Sequence, residues 1–332
     1  MTATLRDVAL AAGVSTSTVS RALSKPDLVN GVTRERVRVA AERLGYPLSR
    51  SSAGLAAGRT GHLAIVVPDL TNPLFAGVVK GAQARARESD YALFVADTNE
   101  DVGAEWGIAA GLASEADGLV LCSPRGDVTE IARIGEQVPL VLMHRRYAEF
   151  ARVTVDNVDG MRQAVAHLAA LGHRRVAFVA GPRTSAVNAE REEGLRAAAA
   201  DHAIDVVELG NFRPTFDGGV AAADLVAAAG VTGVIGYNDI LALGIISRLH
   251  DRGVHVPEDL SVVGFDDIAM AGMSRPPLTT VAIPQEQAGR TAIDLLVSGL
   301  TGVQGDPRHV EIPAHLMVRS TTTGAPGTAW TR

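Results

Sequence analysis

After Gly61, short apolar runs alternate with longer, alanine-rich amphipathic stretches, and this alternation constrains the fold more than any other feature of the chain. The runs are LAIVV from Leu63, YALFV from Tyr91, GLVLC from Gly118, VPLVLM from Val138, VAFVA from Val176, GVIGY from Gly233 and SVVGF from Ser261. Helical patterns fall between them at Ala76–Glu88, Gly160–Leu171, Ala189–His202, Gly218–Ala229 and Asp239–Arg252. Apolar runs of strand length separated by helices predict α/β architecture, in which parallel strands are covered on both faces and joined by right-handed crossovers. There are too many units for one small sheet, so two lobes are expected. A cleft between lobes, at the carboxyl ends of the strands, is where such sheets bind ligands.

The first 45 residues have a different texture and read as three short helices. Thr4 is placed to cap the first, with Asp7 in its opening turn and Gly13 at its end. Ser15 is placed to cap a second from Thr16 to about Leu23, and Thr33 a third that Gly45 stops. Two short helices joined by a glycine-containing turn make a helix-turn-helix. Val8, Val14, Val19 and Leu23 must then meet in one small core, which leaves Thr16, Ser17 and Arg21 facing outward. Short side chains near the start of such a helix allow close approach to base edges, and an arginine one turn later can reach guanine O6 and N7. Taken alone, Arg21 could equally be a phosphate clamp or a solvated helix residue.

Charge is distributed in keeping with that division. Residues 1 to 60 carry nine Arg and Lys against four acids, a net +5, so the remaining 272 residues of a chain with total charge −6 carry −11. A basic head on an acidic body attracts phosphates at one end only. The single cysteine, Cys122, lies in an apolar run and reads as a buried small hydrophobe, with no disulfide framework to build on. MTATLRDVALAAG lacks the pattern of a secretory signal, and no apolar stretch is long enough to span a bilayer, so a cytoplasmic location and no membrane partner are expected. GxxxxGK[ST], GxGxxG after a first strand, GxSxG and HExxH are absent. No catalytic residue, cofactor or metal site is therefore expected.

RDVALAAGVSTSTVSRAL from Arg6 and TRERVRVAAERLGY from Thr33 resemble the DNA-binding head of the LacI/GalR family of bacterial repressors. The resemblance continues through GRTGHLAIVVPDLTNPLF from Gly58, HLAALGHRRVAFVAGP from His167, YNDILALG from Tyr237, and VPEDLSVVGFDD followed by PPLTTV. It implies a head and hinge over residues 1–60 and an effector-binding, dimerising domain over 61–332. The two lobes of that domain would be 61–159 with 286–312 and 160–285 with 313–325, in the manner of a periplasmic binding protein. A solute receptor of that architecture would need an export signal and no basic helical head.

The resemblance further implies a homodimer on a pseudo-palindromic, double-stranded operator, with Leu55 as an apolar wedge in the minor groove. This hinge departs from the family pattern: Pro47 directly follows Tyr46, Ser51 and Ser52 stand where apolar residues are common, and Gly54 costs a helix about 1 kcal/mol. The resemblance places Asn72, Phe75, His144, Arg191, Phe212, Asn238 and Asp266 around a small-molecule effector. Polar groups with aromatic faces suit a sugar or related polar metabolite, and also a nucleobase. His144 stands where many members carry an aspartate. Asp266 could alternatively cap a helical turn, and Asp239 is expected to cap the helix that follows it. Whether the protein represses or activates is left open by the sequence.

Overall fold

The computed structural model describes residues 3–24, 28–46, 59–302 and 308–326. The head consists of α1 (Leu5–Ala12), α2 (Thr16–Ser24) and α3 (Gly31–Arg43). Thr4 and Asp7 form a reciprocal capping box, and Gly13 closes α1 with φ +65°, a left-handed conformation that glycine adopts without strain. Ser15 Oγ accepts the Thr18 N–H at 3.1 Å and so caps α2. The cap of α3 differs from expectation: it lies three residues earlier, where Asn30 rather than Thr33 is the N-cap and accepts the Val32 N–H at 2.9 Å. Asn30 is as good an N-cap as Thr33, and the earlier start satisfies the amide of Val32. Val8, Val19 and Val37 are fully buried in one core with Val14 and Leu23 packed against it.

The rest of the chain builds two six-stranded sheets. The first contains β1 (His62–Val67), β2 (Ala92–Asp97), β3 (Gly118–Cys122), β4 (Leu140–Met143), β5 (Ala151–Val155) and β11 (His309–Ile312), in the order β11-β5-β4-β3-β1-β2, all parallel. The second contains β6 (Arg175–Ala180), β7 (Asp205–Asn211), β8 (Gly233–Gly236), β9 (Ser261–Asp266), β10 (Thr279–Ala282) and β12 (His315–Met317), in the order β12-β10-β9-β8-β6-β7. Its edge strand β12 runs antiparallel to β10, an exception to the expected all-parallel pairing. Continuous apolar runs such as GLVLC are buried along their whole length because helices cover both faces.

Those helices are α4 (Pro73–Glu88), α5 (Val102–Ala113), α6 (Val128–Gly135) and α12 (Gln285–Thr301) on the first sheet. On the second are α7 (Asn157–Ala170), α8 (Ala186–Asp201), α9 (Phe216–Ala228), α10 (Asp239–Asp251) and the short α11 (Ala269–Met273). The chain passes between sheets at three places: after β5, after β10 and after β11. Each passage is short, and the first and third are tied by the Asp156 N–H donating to the Ile312 carbonyl at 3.0 Å. Helices α4 and α12 approach backbone to backbone. A Cβ on Gly289 would lie 2.0 Å from the Val78 carbonyl oxygen, and one on Gly81 2.0 Å from that of Glu286, so only glycine fits at either position. Among the described residues no helix is long and apolar enough to cross a membrane.

Candidate functional site

The carboxyl ends of β1, β3 and β4 face those of β8 and β9 across a narrow, largely closed cavity. Four of its lining residues, Glu100, Ser123, His144 and Asp266, have positive φ values between 50° and 111°. Side chains other than glycine adopt such conformations at a cost, and clusters of them gather at functional sites where the fold holds them in place.

Of the seven residues expected around an effector, Asn72, Phe75, His144, Arg191, Asn238 and Asp266 line this one cavity. Phe212 does not. It follows β7, its N–H donates to the Ala180 carbonyl at 2.9 Å, and its ring packs against the core between α9, α10 and the second sheet. Asn72 and Asn238 cap α4 and α10, accepting the N–H groups of Leu74 and Leu241, each at 3.0 Å. Asp239 is therefore not the cap. It is fully buried one residue further on, where Oδ1 accepts from the Thr280 hydroxyl and Oδ2 from the Ile268 N–H at 2.9 Å. Burial, and then Asp266, raise its pKa well above the ordinary carboxylate range. Gly264 makes room for this clamp, since a Cβ there would sit 2.2 Å from the Asp239 carboxylate.

Asp266 caps no helix either; the N-cap of α11 is Ile268, without a side-chain bond. Its Oδ1 accepts from Arg191 Nη2 at 3.2 Å with both side chains almost wholly buried. Arg191 also donates through Nε to Asn157 at 3.1 Å and through Nη1 to the Tyr237 carbonyl, and its guanidinium lies 3.6 Å from the Phe265 ring centroid. Burial raises the Asp266 carboxyl to about 6, with Arg191 restraining the rise. Across the cavity, burial and then the positive charge of Arg191 pull His144 down to about 4, so at neutral pH its imidazole is uncharged. His144 Nε2 is buried without a hydrogen-bond partner among the described residues. Sequence reasoning missed Glu100, Ser123, Arg125 and Tyr237, all at this cavity. Position alone could have found Ser123 and Tyr237, since the first directly follows the run GLVLC and the second ends the run GVIGY.

In the head, Thr16, Ser17 and Arg21 are all exposed on the first turns of α2, Ser17 and Arg21 on the face opposite the buried Val19. Arg36 Nη2 donates to the Ala12 carbonyl at 2.6 Å and fastens α3 to the end of α1. Arg38 is held by Glu35 and Glu42 and adds little free positive charge. Leu55 lies outside the described residues. Cys122 is buried, and burial pushes its thiol up to about 12, as expected of an inert hydrophobe.

Residues 4–47 match the family model described as bacterial regulatory proteins, lacI family, and residues 165–322 match a periplasmic binding protein-like domain. The HTH-type transcriptional regulator CelR of Thermobifida fusca is 35% identical over 95% of this chain and 97% of its own length. The HTH-type transcriptional repressor CytR of Escherichia coli (strain K12) is 31% identical over 98% of this chain and 97% of its own. Among solved structures, the lac repressor dimer bound to operator and the anti-inducer ONPF matches with a TM-score of 0.84 at 26% identity, covering 97% of this chain and 100% of that one. The complex of transcriptional regulator CelR with cellobiose matches with a TM-score of 0.72 at 33% identity, covering 96% and 99%.

Proposed function

Because the chain belongs to the LacI family of bacterial regulatory proteins, whose members are DNA-binding transcriptional regulators and not enzymes, we propose that it is a cytoplasmic repressor whose operator affinity is set by a polar metabolite held between its lobes. The observation that carries this reading is the cavity itself. Six residues distant in sequence converge there at the facing ends of two sheets, with directional polar groups, an aromatic face at Phe75 and a buried imidazole nitrogen that no group among the described residues satisfies.

The lobes divide as 61–159 with 286–312 and 160–285 with 313–325, the cavity residues being distributed over both. Asn72, Phe75, His144, Arg191, Asn238 and Asp266 contact the effector. A sugar suits these hydrogen-bonding groups, as does the likeness to a regulator solved with cellobiose. A nucleobase-like ligand is the second reading, on the strength of the buried Phe75 ring. Thr16, Ser17 and Arg21 read base edges, and Leu55 enters the minor groove. The protein acts as a homodimer on a pseudo-palindromic site, in keeping with its likeness to the lac repressor dimer on operator. Phe216, Met270 and Met273 are 44%, 41% and 73% exposed around an apolar hollow of the second lobe that also includes Leu243 and Ile246, a surface that suits a second copy of the chain.

Effector closure between lobes would shift the head-bearing lobes and so the spacing of the two heads. A thermal-shift screen against sugars, sugar phosphates, nucleosides and purines tests this, since a ligand bound only by the folded state raises Tm. The expected result is a hit that also changes operator affinity. A hit with no effect on DNA binding would contradict the coupling.

A further inference from the structure

The two walls of the cavity differ in what they leave unsatisfied. On the wall built by the second sheet, all three nitrogens of Arg191 are engaged, and Asn238 uses its oxygen on Leu241 and its nitrogen on the Pro214 carbonyl. On the opposite wall, Arg125 Nε and Nη1 are buried and, among the described residues, make no hydrogen bond of good geometry, the Tyr237 hydroxyl being the polar group close enough to act on the guanidinium; His144 Nε2 is likewise unpaired among the described residues.

Arg125 is held firmly in the loop after β3. Its backbone N–H donates to the Glu105 carboxylate at 3.0 and 3.2 Å. Gly126 lies so tightly against Trp106 that a Cβ would fall 2.0 Å from the indole. Arg125 Nη2 donates to both oxygens of Glu100 at 2.9 and 2.8 Å, and Glu100 is itself pinned by its N–H donating to the Pro68 carbonyl at 2.7 Å. With side chains only 5% and 11% exposed, this pair presents the N–H groups of Nε and Nη1 from a fixed place.

The charges decide what those positions accept. Glu100 balances Arg125, Asp266 balances Arg191, and His144 is neutral. An added carboxylate or phosphoryl group at Arg125 would lie on the same wall as the Glu100 carboxylate, and like charges in a water-poor cavity repel strongly. A hydroxyl or carbonyl oxygen would satisfy those N–H groups without disturbing that balance. We propose that Arg125, positioned by Glu100, takes a neutral acceptor oxygen of the effector, and that Glu100 makes the cleft reject the anionic form of the same molecule. This inference rests on reading the cleft as the effector site.

Matched neutral and anionic probes test it: glucose and glucuronate, cellobiose and cellobionate, ribose and ribose 5-phosphate, adenosine and its 5′-monophosphate, each scored by the Tm of the full chain. The neutral member of at least one pair should raise Tm and its anionic counterpart should not. Glu100→Gln should let the anionic member raise Tm, and Arg125→Met should lose the response to the neutral member. A purely structural Arg125 would not reverse the preference in Glu100→Gln. Three results overturn the inference: a larger shift with the anionic member in the wild type, no shift with any neutral member, or an unchanged preference in Glu100→Gln. Asp266→Ala separates the two levels. If it keeps the neutral-ligand shift, the cleft is not the effector site; if it loses the shift while Arg125→Met keeps it, only the role of Arg125 falls.

Discussion

Replacing Arg191 with methionine would keep most of the side-chain volume while stripping Asp266 of its cationic partner. Arg191 joins Asp266, Asn157 and the Tyr237 carbonyl and stacks on Phe265, so nearly all of its bonds are within the core of one lobe. Removing one member of a buried ion pair costs about 3–5 kcal/mol. At about 2–4 °C per kcal/mol for a domain of this size, Tm should fall by roughly 6–20 °C. The loss has a definite pH dependence. Asp266 titrates at about 6 in the folded protein, above its unfolded value near 4, so its unfavourable contribution is full above about 6 and fades as pH falls toward about 4. Without Arg191 the carboxyl rises further, and the relief on acidification grows.

His144 runs the other way. Depressed to about 4 by burial and then by Arg191, it withdraws stability as pH falls from about 6.5 to about 4. Losing Arg191 eases that penalty, so both groups move the difference between variant and wild type in the same direction. Scanning calorimetry at fixed protein concentration should show a larger Tm deficit for Arg191→Met at pH 8 than at pH 5. The double variant Arg191→Met/Asp266→Asn should recover part of the deficit. An equal deficit at both pH values, or strictly additive losses in the double variant, would refute the reasoning.

Arg21→Ala should lose about 1–3 kcal/mol of discrimination at one base pair, seen as a relaxed position in a binding-site selection; an unchanged profile would remove Arg21 from the readers. Gly289→Ala should destabilise by about 1–3 kcal/mol as α4 and α12 are forced apart, whereas Gly299→Ala, in the same helix but with nothing within 4 Å of its Cβ position, should be neutral or stabilise by up to about 1 kcal/mol. Met273→Asp should shift sedimentation from dimer toward monomer and weaken operator binding. If the variant remains dimeric, the hollow around Leu243 is not the interface.

The elements easiest to read from the sequence were those with continuous apolar runs or clear helical periodicity. GLVLC is a strand over the predicted residues, and the three head helices follow their caps and spacing, apart from the start of α3. The strands that escaped notice, β5, β7, β10, β11 and β12, are short, polar or at sheet edges, where burial does not impose a run. At the cavity, residues directly following strands were legible because topology puts them there. Arg125 and Glu100 were not, because their role depends on two loops meeting, and periodicity carries no signal for that. Asp239 was misread for a related reason: local spacing cannot show that β9, β10 and the start of α11 close around a carboxylate one residue beyond the cap.

The most direct test of the central claim, that the cleft governs DNA binding, is operator affinity of the full chain measured with and without a ligand found by thermal shift, for the wild type and for Asp266→Ala. The two proteins should bind the selected operator alike without ligand, and only the wild type should respond to it. A variant that still responds, its DNA affinity shifting by the same factor as that of the wild type, would contradict the account.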